Sequence, residues 1–134
     1  MLVFSEYQTD TIDLALDFYG YEDCPKNYEF GPSVRDNFVL HFVTKGKGVF
    51  HFEKKEIHLE AGDLFLLPKN KVTYYQADSE EPWSYYWIGI SGTKVSDFMR
   101  FSTLQEKGYL KKTEVDTERI GLFMEQLVHK AEAS

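Results

Sequence analysis

From Val39 to Ile90 the chain alternates short apolar runs with small, polar or charged breaks. Val39–Thr44 (VLHFVT) is rich in β-branched and aromatic residues and reads as a strand. Lys45-Gly46-Lys47-Gly48 follows, a glycine-bearing sequence suited to a tight hairpin. Val49–Phe52 resumes the strand pattern, and Glu53-Lys54-Lys55 marks the next turn. Ile57–Leu59, the apolar run Leu64–Leu67 ended by Pro68, Val72–Gln76 and Ser84–Ile90 complete the set. Short strands at this spacing, punctuated by Gly, Pro and Asn, predict an antiparallel barrel or sandwich.

After Gly92 the period changes. Val95, Phe98 and Met99 fall at i, i+3, i+4. Ile120, Phe123, Met124, Leu127 and Val128 continue that spacing over a longer stretch. Both are amphipathic helix stripes. Asp116-Thr117-Glu118 supplies capping residues ahead of the second. The organisation expected is a barrel over residues 1–92 with an N-terminal arm, Met1 to about Asp10, followed by a helical segment over 93–134. The last helix meets no Gly or Pro stop before Ser134, which leads to the expectation of a piece cut from a longer chain. Its stripe is the candidate dimer surface. A helix docked on its own barrel would show the same stripe.

Composition narrows the function classes. The chain has 134 residues, the size of one domain, with 16% aromatics. Net charge is −7 and no basic stripe is present. Phosphate neutralisation dominates nucleic-acid affinity, so this segment is a poor DNA binder by itself. The single cysteine, Cys24, allows no internal disulfide and no CxxC motif, which fits a reducing cytoplasm. No stretch is long and apolar enough to span a membrane as a helix, and Met1–Asp10 is not a signal peptide.

Catalytic motifs are missing. His41, His51, His58 and His129 sit in no HxH, HExxH or HxxxH spacing, and there is no GxSxG or phosphate-cradling glycine loop. The stretch starting at Gly62 is more informative. Gly62, five residues, then Pro68 and the turn at Lys69-Asn70 resembles the second motif of cupins. Metal-binding cupins carry a histidine where Thr73 stands and an asparagine where Ala77 stands. The resemblance therefore implies a cupin-like double-stranded β-helix, or jelly roll, without the metal site. No cofactor and no metal are expected.

A longer match is more specific. Arg35, Leu40–Phe50 (LHFVTKGKGVF), Leu59–Pro68 (LEAGDLFLLP) and Thr73–Gly92, with its PWxYYWIGxxG element, resemble the sensing domain of AraC-type transcription regulators. The nearest likeness is to regulators of oligosaccharide use in Gram-positive bacteria. That resemblance implies a mainly β, cupin-like barrel followed by C-terminal α-helices. It implies a sugar or oligosaccharide ligand, a homodimer, and DNA contacts made only by a C-terminal helix-turn-helix domain absent from this chain. It assigns Trp87 to stacking on the sugar, Tyr75 and Tyr85 to the same pocket, and Arg35 to the hydroxyls. The physics agrees, since an indole covers the C–H face of a pyranose while Tyr hydroxyls and a guanidinium satisfy its rim. Tyr85 and Trp87 lie two apart on one strand and so share a face, opposite Tyr86 and Ile88. Trp83, after Pro82, is expected to pack a turn. The alternative is a small cupin enzyme, a sugar isomerase or dioxygenase, which would need a metal or an acid–base pair in the barrel.

Overall fold

The computed structural model describes residues 15–100 and 102–133, with the side chain of Phe98 left aside. The arm expected over Met1–Asp10 lies outside these residues. Among the described residues nine strands run β1 (Ala15–Asp23), β2 (Glu29–Ser33), β3 (Phe38–Lys45), β4 (Lys47–Phe52), β5 (Lys55–Glu60), β6 (Leu64–Leu67), β7 (Thr73–Ala77), β8 (Ser84–Ser91) and β9 (Tyr109–Leu110). Among the described residues three helices follow the main strands: α1 (Thr93–Arg100), α2 (Thr103–Lys107) and α3 (Thr117–Glu132).

The strands form two sheets, ordered β1-β8-β3-β6-β9 and β2-β7-β4-β5, and every strand pairing is antiparallel. Side-chain alternation sorts each strand into an inner and an outer face. Phe50, Phe52, Ile57, Leu59, Tyr75 and Ala77 of the second sheet meet Val39, Val43, Phe65, Leu67, Trp83 and Tyr85 between the sheets. The outer face of the second sheet is largely solvated, as the alternation of β5 shows. The first sheet is covered on both sides. Its outer residues, among them Leu40, Leu64, Leu66, Tyr86 and Ile88, pack under Val95, Met99, Met124 and Val128 of the helices. This double burial explains why β6 reads as an unbroken apolar run.

The helical segment is built into the barrel. β9 adds an edge strand to β6. Asp63, buried in the β5–β6 turn, accepts from the backbone N–H of Glu60 at 2.8 Å and of Lys112 at 3.0 Å. Thr117 donates its hydroxyl to the Gly62 carbonyl, so this residue anchors α3 to the barrel. The N-cap residue Asp116 makes no side-chain capping bond.

Gly121 lets α3 approach β3: a Cβ there would stand 2.3 Å from the Phe42 ring. The Tyr86 hydroxyl and His129 Nε2 meet at 3.1 Å. Among the described residues no helix is long and apolar enough to cross a membrane.

The candidate dimer stripe divides on this docking. Met124 and Val128 are 0% exposed against the chain's own barrel. They are packed inside the molecule, because the side of α3 that carries Gly121 is the side that docks. Ile120 and Leu127 flank that contact, half-buried. Phe123 and its neighbour Leu122 face outward at 54% and 55% exposure. Trp83 also departs from expectation. It is 0% exposed at the centre of the core, stacked on Phe65 at 5.2 Å, and no turn residue.

A candidate sugar-binding cavity

The interior is filled at one end and hollow at the other. The hollow is a cavity of about 260 Å³ lined by residues of both sheets. That volume holds about nine waters at ~30 Å³ each, the scale of one sugar ring. Trp87, Tyr85, Tyr75 and Arg35, the residues expected to bind ligand, all line it. Sequence reasoning did not select its other walls, chiefly Phe18, Glu22, Tyr28, Phe30 and His41. A wider hollow of about 560 Å³ lies on the outer side, bordered by Glu53, Lys54, Lys55, Glu56 and Lys71. It is the more open of the two, and the inner cavity between the sheets is the better ligand site.

Two glycines shape the wall where β1 meets β8. Gly20 lies opposite Trp87 and Gly89 opposite Phe18 in the register. A Cβ on Gly20 would stand 2.2 Å from the indole of Trp87, and one on Gly89 would stand 2.3 Å from the Phe18 ring. Each bare glycine backbone therefore seats the aromatic ring of the facing strand. Gly89, inside the strand-like run Ser84–Ile90, is the signal the sequence offers for this close approach. Tyr85 meets Trp87 edge to face at 5.9 Å, a favourable aromatic geometry.

Arg35 enters from the β2–β3 connection, with its guanidinium 5.4 Å from the Phe18 ring centre and 5.3 Å from that of Phe30. These are cation–π distances. Its Nε is buried without a hydrogen-bond partner. No ion pair ties Arg35 to Asp36 or Glu29 among the described residues; the Glu29 carboxylate instead accepts from Tyr74. Burial pushes the Tyr75 and Tyr85 hydroxyls well above the ordinary tyrosine range, so both are protonated. Burial likewise pushes His41 down, to about 3, opposed by the Val39 backbone and reinforced by the Arg35 charge. His41 is therefore neutral at neutral pH, and the charged groups lining the cavity are Glu22 and Arg35, of opposite sign. Among the described residues no three His, Cys, Asp or Glu side chains are placed to hold a metal ion.

The profile of the AraC-like ligand binding domain matches residues 15–134. The chain belongs to the AraC-type ligand-binding family. It is 45% identical over 107 residues to the Msm operon regulatory protein of Streptococcus mutans serotype c, covering 80% of this chain and 38% of that protein. It is 41% identical over 100 residues to the raffinose operon transcriptional regulatory protein RafR of Pediococcus pentosaceus, covering 72% and 36%. The chain thus spans less than two fifths of the length of these curated relatives.

Solved structures agree on the fold. The apo ToxT K231A structure from Vibrio cholerae matches with a TM-score of 0.58 at 14% identity, covering 85% of this chain and 47% of that one. The cupin domain of Schizosaccharomyces pombe Cnp3 matches with a TM-score of 0.52 at 13% identity, covering 66% and 62%. This AraC-type domain is therefore a cupin-like barrel with C-terminal helices.

Proposed function

We propose that the cavity binds a neutral saccharide and that the chain is the effector-sensing, non-catalytic part of a regulator of carbohydrate use. One observation carries the reading: Trp87, Tyr75, Tyr85 and Arg35 converge on one half-open cavity between the sheets. Arg35 borders the cavity, where its guanidinium can donate to a ligand hydroxyl. The opposed charges of Glu22 and Arg35 suit a neutral polyol better than a phosphorylated sugar. The names of the relatives, operon regulators including one for raffinose, support the same reading.

In the parent protein, DNA contacts belong to a helix-turn-helix domain beyond this chain, in the cytoplasm. Homodimerisation falls to the outward side of α3, with Phe123 and Leu122 at its centre and Ile120 and Leu127 beside them. Sugar binding shifts the parent only by favouring one of its arrangements over another. Phe123→Glu should convert a dimer to a monomer in sedimentation without lowering the melting temperature, since that ring is outside the core. An unchanged sedimentation coefficient would remove this face from the account.

The test of the sensor reading is a thermal melt against mono- and oligosaccharides. A sugar at a hundredfold excess over its Kd stabilises the chain by about 2.7 kcal/mol. Trp87→Ala should abolish the rise. A panel with no effect on the wild-type melt would overturn the reading.

A further inference from the structure

Six buried side-chain atoms have no hydrogen-bond partner among the described residues, and two of them belong to cavity residues: Arg35 Nε and His41 Nδ1. We propose that His41 is a ligand-contacting residue that reads one particular hydroxyl of the saccharide, and so sets which sugar the cavity accepts. The inference rests on the sugar-binding reading above.

His41 lies in the middle of the first sheet, opposite Trp87 on one side and Phe65 on the other. All three point inward. The imidazole stacks on Phe65 at 4.2 Å with planes 9° apart, and meets Tyr75 and Tyr85 edge-on at 5.2 and 5.0 Å. These rings hold it in one orientation. They offer no acceptor or donor to Nδ1, and the residue is 2% exposed. A phenylalanine would make the same stack without burying an unsatisfied nitrogen. The imidazole borders the cavity beside the indole assigned to the sugar face, so its cavity-facing edge is placed for a partner that arrives with the ligand.

The chemistry suits a hydroxyl. A neutral imidazole has one donor and one acceptor nitrogen, and a hydroxyl is both donor and acceptor. Either tautomer therefore makes the bond. Arg35, in contrast, only donates. Two fixed groups of different hydrogen-bonding character constrain which hydroxyls can meet them together. A site built around a hydroxyl rejects analogues that lack it far more strongly than an apolar pocket rejects a missing methylene.

The experiment is isothermal titration of wild type and His41→Phe with galactose, glucose, melibiose, raffinose and their monodeoxy analogues. The best wild-type sugar should lose about tenfold in affinity in the variant. One monodeoxy analogue should bind both proteins equally, identifying the hydroxyl. Equal affinity of both proteins for every sugar would overturn the inference while leaving the sensor reading standing. No sugar binding to wild type would overturn both. Should His41→Phe fail to fold, the imidazole nitrogen resonances of the 15N-labelled wild type decide: one His41 ring nitrogen must shift when the best sugar saturates the protein, and two unmoved resonances overturn the inference.

Discussion

The two ends of the barrel interior use the same local device to different ends. Trp83 lies on Gly48, where a Cβ would stand 2.5 Å from its ring. Trp87 lies on Gly20 in the same manner. Trp83 is then closed in by Phe65, Tyr75 and Tyr85, and is fully buried. Trp87 has Tyr85 beside it and a cavity next to it, and stays half-buried. A glycine seat for an aromatic ring therefore does not mark a binding site. What the remaining walls leave empty does.

That contrast breaks most visibly under truncation. Trp83→Ala should cost about 3–5 kcal/mol in urea unfolding, because it opens a void in a packed core. Trp87→Ala should cost about 1–2 kcal/mol, because less of its apolar surface is removed from water. Equal losses would mean that the two ends are equally packed. The glycine seats give the next test. Gly48→Ala pushes on a ring with nowhere to go and should cost about 1–3 kcal/mol. Gly20→Ala pushes Trp87, which has the cavity to move into. It should cost less stability and lower sugar affinity instead.

pH sharpens the comparison further. The folded protein holds His41 near pKa 3, against 6.5 for an ordinary histidine. The unfolded chain takes up the proton first, so stability is full above about pH 6.5 and declines as the pH falls toward 3. With one pKa unit worth 1.36 kcal/mol, the loss at pH 5 is roughly 2 kcal/mol. His41→Phe should melt with a shallower acid limb than wild type, and parallel limbs would contradict the buried neutral imidazole. The smallest stability effect belongs to Arg35→Met. It gives up cation–π contacts and also removes the orphaned donor, so the net change should stay within about 1 kcal/mol. Sugar affinity should nonetheless fall at least about tenfold. A large destabilisation would make Arg35 a structural residue.

The sequence made the middle of the fold legible, and for a physical reason. β3 to β8 carry alternation or an unbroken apolar run because their burial is set by the two sheets. β1 was not resolved as a strand, since Gly20 and the acidic residues around it interrupt the pattern. β9 has two residues and α2 five, too short for any period. The α3 stripe is legible as a helix, but spacing does not tell a partner from the chain's own barrel. Gly121 against Phe42 decides that, and the contact is tertiary. For the site, the two-residue spacing of Tyr85 and Trp87 made their common face legible, while Tyr75, on a strand of the other sheet, came only from the family resemblance. The place of His41 at the hollow end was not legible, because alternation gives the face of a residue and not whether the space beside it is filled.

Nothing separates the two ends more directly than their own indole N–H groups. In 15N-labelled wild-type protein, Trp83 and Trp87 should give two indole cross-peaks that can be followed while sugars are titrated in. The account predicts that the Trp87 peak moves and saturates with one sugar of the panel while the Trp83 peak stays essentially still. Two unmoved peaks for every sugar, or a Trp83 peak that shifts alone, would contradict it.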